Sequence, residues 1–379
     1  ICFRNKMVKI AVVLMVKNEA ARIEYTIRSC SEPSITGFVI YDTGSTDDTI
    51  NVIKRAAGSK HVDIIEGEFD DFATSRNILL DFAQECAKKH EYDLFFLLDA
   101  NDELIFEDNF NPESLIEDTN VTAWLISCDW KVYPEDAPIT CRNTKLVRSK
   151  ISEMKWNGVV HEYLSTPGQR NICDSVRIFQ DRIKDNDGKT AERWHRDKIL
   201  LEKEVSKDSK NTRATFYLAQ TYACLGENDK AYRTYAIRTS LAGFAEEKYC
   251  SLYKCGEIAT KLKMPNEIAL SWLTKAFLFS ERAEPLVLIA EIYEKTKNYK
   301  LSYAYANLAC HIAYPKDALL FVDKNCYDYK RWHILGRIAW YAAKNADNAQ
   351  KILEDGALGC RMAIQSKNLN IDKNNMSFY

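Results

Sequence analysis

The chain has 379 residues, 46% hydrophobic and 28% charged, the make-up of an ordinary globular protein of roughly two or three domains. Its 52 Lys and Arg against 54 Asp and Glu leave a formal charge of −2, which removes the basic footprint of a nucleic-acid binder. Twelve cysteines without a C-x-x-C spacing argue against a zinc site or a small disulfide scaffold, and point to reduced thiols in a cytoplasmic setting.

The apolar run at residues 10–16 is too short to span a bilayer, so no transmembrane segment is expected. It also lacks the flanks of a signal peptide. The chain begins ICFRNK, and Met7 reads as the natural start with six residues added before it.

Residues 9–16, KIAVVLMV, predict a strand by their β-branched content. After Lys17, Asn18 and Glu19, the spacing of Ala20, Ile23, Ile27 and Cys30 predicts a helix. A second strand at 37–41 runs into DTGSTDD, where Gly44 allows a tight turn and Ser45, Thr46 or Asp47 can cap a helix over 48–57. A third strand at 62–66 leads to a helix at 73–88, with Ile78, Leu79, Phe82, Ala83 and Cys86 on one stripe.

Residues 93–104, DLFFLLDANDEL, form the centre of the pattern: a run suited to a strand buried on both faces, ended by Asp99, Asn101, Asp102 and Glu103. Four alternations of strand and helix predict βαβ units and a mostly parallel sheet. Parallel strands bring Asn18, Glu19, Asp42 and residues 99–102 to one edge, where open α/β sheets bind ligands. Carboxylates there can hold a hard divalent cation. Arg76, early in the third helix, suits a diphosphate by its planar donors and the helix dipole. Neither G-x-G-x-x-G nor G-x-x-x-x-G-K-[ST] is present, which disfavours a dinucleotide fold and removes a P-loop enzyme.

MVKNE, YDTGSTDDT, FDDFATSRN and LDANDEL, in this order and spacing, resemble the family 2 glycosyltransferases with a GT-A fold, in the subgroup that carries tetratricopeptide repeats. The resemblance covers about the first hundred residues. It implies a nucleotide-diphosphate sugar donor, expected to be a UDP-sugar, a Mn²⁺ or Mg²⁺ ion, and inversion at the anomeric carbon. It also implies that Asn18, Glu19 and Asp42 line the nucleoside pocket, that Asp99 approaches the ribose, and that Asp102 binds the metal. The family usually reads D-A-D-D, whereas this chain has Asn101 at the third position, which removes one negative charge.

Strands are expected at 122–130 and 144–148, ahead of WNGVVHE at residues 156–162. The subgroup closes its domain with a similar G-x-V-H-E. Glu162 is therefore the candidate general base and His161 a candidate metal or phosphate contact, with Asp129 as the competing base. Arg142 and Arg148 are read as either donor-phosphate contacts or fold-level ion pairs. The polar stretch 182–198 reads as a loop around residues 185–188, an acceptor-side flap or an interdomain connection, without the spacing of an EF-hand.

From Ile199 the pattern is helical and repeats. Ala219, Gly256, Ala290 and Gly336 mark four units separated by 37, 34 and 46 residues, near the tetratricopeptide period of about 34. The last interval carries an insertion around 314–328. Aromatics at Tyr217, Tyr222, Tyr253, Tyr293 and Trp332 fit core positions within repeats.

The expected organisation is an α/β GT-A domain (Rossmann-like, mostly parallel sheet) at 7–198, an all-α TPR-like repeat domain at 199–366, and a loosely ordered tail at 367–379. The expected function is inverting, metal-dependent sugar transfer to an acceptor hydroxyl. The repeats hold a polypeptide or glycan acceptor or form a homodimer. The alternatives are a non-catalytic TPR scaffold with a degenerate transferase domain, and a sugar nucleotidyltransferase.

Overall fold

The computed structural model describes residues 7–132, 134, 138–158, 160–183 and 187–379, with the backbone alone at 187–190. The chain divides into two compact units: Ile1–Val132 with Cys141–Asp185, and Tyr133–Thr140 with Asn186–Tyr379.

The first unit holds β1 (Ile10–Val16), α1 (Ile23–Ser29), β2 (Ile35–Asp42), α2 (Thr49–Ala57), β3 (His61–Glu66), α3 (Phe72–His90), β4 (Leu94–Leu98), β5 (Glu103–Phe106), α4 (Pro112–Leu115), β6 (Val121–Lys131), β7 (Ile139–Arg148, from Cys141 onward), β8 (Lys155–Asn157), β9 (Tyr163–Ser165) and β10 (Gln169–Asp181). The main sheet follows the order β3-β2-β1-β4-β7-β6-β10-β5, and β8 and β9 form a small antiparallel pair. β3, β2, β1 and β4 are parallel, as the alternation predicted. Beyond β4 the sheet is mixed: β7 runs antiparallel to β4, β10 parallel to β6, and β5 antiparallel to β10.

The uninterrupted apolar runs of β1 and β4 follow from burial on both faces. Ile10, Val12 and Leu14 of β1 pack with Phe96 and Leu98 of β4 and with Ile23, Ile27 and Ile53 of α1 and α2. Ala11, Val13, Phe95 and Leu97 face the opposite way, onto Leu79, Leu80 and Ala83 of α3. The stripe predicted for α3 is shifted: Ile78 is 40% exposed, and Leu80 and Ala87 complete the buried face instead.

The second unit is a stack of helices. α5 (Asp187–Lys207) is followed by α6 (Thr212–Cys224) with α7 (Asn228–Ser240), α8 (Ala245–Lys261) with α9 (Asn266–Phe279), α10 (Ala283–Lys295) with α11 (Tyr299–His311), and α12 (Arg331–Ala343) with α13 (Ala349–Lys367). Each repeat-marking small residue lies in the first helix of its pair. A Cβ on Gly256 would meet Leu273 Cγ at 2.6 Å, and one on Gly336 would meet the Cys360 nitrogen at 2.8 Å, so both glycines permit close helix packing. Tyr217 and Tyr222 are buried, in line with a core role for the repeat aromatics. The long third interval contains the short strand β11 (Val322–Asp323) and a π-helical turn, Cys326–Lys330, that leads into α12.

Two boundary expectations change. α5 runs through the boundary expected at 198/199, and Asp187 and Gly188 lie in that helix rather than in a loop; Asp185 and Asn186 fall outside the described residues. Residues 370–376, expected to be loose, form α14 (Asn370–Met376), whose Asp372 is buried and accepts a hydrogen bond from Tyr329 Oη at 3.0 Å. The terminal Tyr379 donates its hydroxyl to the Gly336 carbonyl at 2.7 Å. Among the described residues, no helix is long and apolar enough to cross a membrane.

Candidate active site

The parallel strands β1, β2 and β4 end on one sheet edge, and the loops that follow them are tied together. Asn18 adopts φ 55, a left-handed conformation that Asn tolerates better than most residues. Its Oδ1 accepts from the Thr46 backbone N–H at 2.7 Å, and its own N–H donates to Ser45 Oγ at 3.0 Å. The Glu19 N–H donates to Thr49 Oγ1 at 2.8 Å. Asp42 is buried, and its Oδ1 accepts from the Ser45 N–H at 2.9 Å, shaping the DTGST turn. Asp48 is the N-cap of α2, so none of the three predicted residues holds that position; Asp47, one residue before it, accepts from the Thr49 N–H at 3.0 Å. The motif residues after β1 and β2 thus build one polar cradle.

The second half of the site is an ionic network. Arg76, in the second turn of α3, donates through Nη2 to Asp99 Oδ1 and through Nε to Glu162 Oε1 at 2.6 Å. The ring of Trp156 stacks 5.0 Å from its guanidinium carbon. Asn77 clamps Trp156 by accepting from its N–H at 2.8 Å and donating to its carbonyl at 3.0 Å. Glu162 reaches this place on the segment between β8 and β9, where Gly158 has φ 96 and His161 φ 52. His161 is partly buried beside Glu162; Val159, within the same motif, lies outside the described residues.

Two members of the network were not singled out from sequence. Leu146 of β7 pairs with Phe96 of β4, which brings Lys145 alongside the C-terminal end of β4. Its Nζ donates to Asp99 Oδ2 at 3.0 Å and to Asp102 Oδ2 at 2.9 Å. Phe179 of β10 pairs with Glu103 of β5, which brings Gln180 to Asp102; its amide donates to Asp102 Oδ1. The same amide lies 3.4 Å from Asn101 Oδ1.

Charge pairing dominates these groups. Burial alone would raise the Asp99 carboxyl, but the neighbouring Lys145 and Arg76 override it and hold it well below the usual carboxylate range. Burial would lower Lys145 and Arg76, yet Asp102 and Asp99 hold the lysine up, and Asp99 and Glu162 the arginine. A depressed folded-state value means that ionised Asp99 contributes stability above its unfolded value of about 4 and loses it as the pH falls below that. The stability gap between wild type and Asp99→Asn is therefore expected to be full at neutral pH and to shrink as the pH drops through about 4. Urea midpoints along a pH series check this; a gap that widens in acid refutes it.

The surroundings of Asp102 do not suit the expected metal. That side chain is 0% exposed, and its oxygens accept from Lys145, from Gln180 and from the Asp99 N–H at 2.9 Å. Mg²⁺ and similar ions keep several of their waters and need open carboxylate lone pairs. Among the described residues no group of three His, Cys, Asp or Glu side chains is placed to hold a metal, so Asp102 and His161 are not joined in such a cluster.

The remaining candidates separate. Asp129 is partly buried, 3.7 Å from Arg177 Nη1. Arg142 pairs with Asp174 at 2.6 Å. Arg148 donates to the carbonyls of Val121, Ile116 and Asp118, so it serves the fold.

No family model and no curated protein matches the sequence. Solved structures give remote likenesses. Residues 1–349 of TarS from S. aureus, solved in complex with UDP-GlcNAc, align with 84% of this chain and 98% of that one at 11% identity and a TM-score of 0.36. MamA aligns with 51% of this chain and 96% of its own at 12% identity and a TM-score of 0.36. YrrB, a TPR protein with a peptide-binding site, aligns with 48% and 87% at 14% identity and a TM-score of 0.34.

Proposed function

We propose that the chain is a glycosyltransferase that moves a sugar from a nucleotide-diphosphate donor, a UDP-sugar in the first instance, to an acceptor hydroxyl with inversion. One observation carries this reading. At the C-terminal edge of a parallel sheet whose β1 and β2 ends carry the polar cradle of Asn18 and Asp42, Arg76 joins Asp99 to Glu162, the latter 86 residues from the arginine in sequence. A carboxylate able to take a proton and a cation able to meet phosphate thus share one site.

The reaction is a single displacement. The acceptor oxygen attacks the anomeric carbon and its proton passes to a carboxylate, Glu162 first and Asp129 as the rival. The bond from the anomeric carbon to the diphosphate oxygen breaks, and its electron pair leaves with the diphosphate. Arg76 is the residue proposed to meet that charge, and such fixed cations act chiefly on the transition state. The helical repeats are proposed to bind the polypeptide or glycan acceptor, since stacked repeats form extended binding surfaces; self-association through them is the competing use. Eleven described cysteines are free, ten of them buried, which suits a reducing, cytoplasmic setting.

The test is a thermal-shift panel of UDP, GDP, CDP, ADP and dTDP on the full chain, followed by hydrolysis of the matching sugar nucleotides. One diphosphate at 100 times its dissociation constant is expected to stabilise by about 2.7 kcal/mol. A scaffold would bind none and release no nucleotide. A nucleotidyltransferase would instead consume a nucleoside triphosphate and a sugar phosphate and release pyrophosphate.

A further inference from the structure

We infer that Lys145 is the fixed cation of the donor site, so that a nucleoside diphosphate binds there without a divalent ion. This rests on the donor reading above and assigns the residue that meets the phosphates.

The position expected to bind metal is already satisfied. Asp102 is enclosed and its oxygens take hydrogen bonds from Lys145, Gln180 and the Asp99 backbone. An incoming dication would have to displace the Lys145 ammonium from Asp102 and find space for its own water where the carboxylate has no exposure. Lys145 itself bridges the two carboxylates, Asp99 and Asp102, that such an ion would share. A primary ammonium offers three N–H donors. Two are used on Asp99 and Asp102; the third has no acceptor among the described residues, and the side chain is 13% exposed.

Charge decides which contact yields. Three carboxylates, Asp99, Asp102 and Glu162, face two cations, Arg76 and Lys145, so beyond the third lysine N–H a diphosphate gains contacts with these cations by exchange with a carboxylate. Asp99 is the one able to move, because its side chain is 38% exposed while Asp102 has no exposure. Release of Asp99 frees one N–H of Lys145 and one of Arg76 for phosphate oxygens. Asp102 and Glu162 keep both cations in position while that happens. The site thus presents two preorganised donors where the resemblance led one to expect an ion.

Titration calorimetry of the full chain with UDP, in excess EDTA and again with added Mn²⁺, tests this. The dissociation constants are expected to agree within about threefold, with Lys145→Met at least about tenfold weaker in EDTA and Lys145→Arg close to wild type. Wild-type binding that requires Mn²⁺ overturns the inference and leaves the donor reading intact. Lys145→Met binding as tightly as wild type in EDTA overturns the role of the lysine. Failure of UDP, GDP, CDP, ADP and dTDP alike, with and without Mn²⁺, overturns the donor reading itself. Should both variants fail to fold, amine labelling of the wild-type chain read by mass spectrometry replaces them: UDP in EDTA is expected to protect Lys145, and equal labelling with and without UDP refutes its role.

Discussion

Asp102→Ala is expected to cost about 3–5 kcal/mol of folding stability, the range for removing one partner from a buried ion pair. The side chain is fully enclosed between Lys145, Gln180 and the Asp99 N–H. Its removal leaves one N–H of the ammonium and a backbone donor without an acceptor, and the Gln180 amide with only a long contact to Asn101 Oδ1; unsatisfied buried groups cost about 1–3 kcal/mol each when neutral. These terms share one site and do not add. Lys145 retains Asp99, which moves the expectation toward the lower end of the range. The double variant Asp102→Ala with Lys145→Met is expected to recover part of the loss, because no buried charge is then left alone. Urea unfolding monitored by far-UV circular dichroism gives the numbers. A loss under about 1 kcal/mol for Asp102→Ala would show that water reaches the lysine and that the pair behaves as a surface one.

The same residues show what sequence can and cannot convey. β1 and β4 were legible because burial on two faces demands apolar runs, and residues 10–16 and 94–98 contain little else. The helical hairpins were legible because close packing demands a small residue at one place in each repeat, as at Gly336 against Cys360. β10 was not foreseen. It carries exposed polar residues along its first half, and its register shifts between Cys173 and Arg177, which breaks the alternation a strand is recognised by. α3 was found but rotated, because both Ile78 and Leu80 are apolar and only the packing on β1 and β4 selects the latter.

In the site, Asn18, Asp42, Arg76 and Asp99 were visible because they follow predicted strands or open a predicted helix. Lys145 was not, since a lysine inside TKLVR is ordinary for a half-exposed strand. Its role depends on the long-range pairing of Leu146 with Phe96. Gln180 depends in the same way on the pairing of β10 with β5. The consequence for function is specific: Asp102, the acid expected to hold an ion, is paired with Lys145, a cation that only the tertiary structure brings there.

Glu162→Gln is expected to lower kcat about 10²–10⁴-fold, the usual worth of a positioned general base, with nucleotide affinity unchanged within about threefold. Glu162 Oε1 accepts from Arg76 Nε at 2.6 Å, which fixes the orientation of the carboxyl group. The other oxygen has no hydrogen-bond partner among the described residues and, on the proposed mechanism, is the atom that would receive the acceptor's proton. Glutamine keeps the shape and offers Arg76 a carbonyl oxygen, so the positioning survives and only proton uptake is lost. Asp129→Asn is the control, because Asp129 is the rival base and is 3.7 Å from Arg177 rather than tied to Arg76. A fall in kcat for Glu162→Gln but not for Asp129→Asn assigns the base. The reverse pattern moves the assignment to Asp129 and leaves Glu162 as the group that steadies Arg76. Thermal unfolding of both variants separates these outcomes from simple loss of fold, since Glu162 is one of two carboxylates on Arg76 and Asp99 holds the guanidinium when the other is neutral.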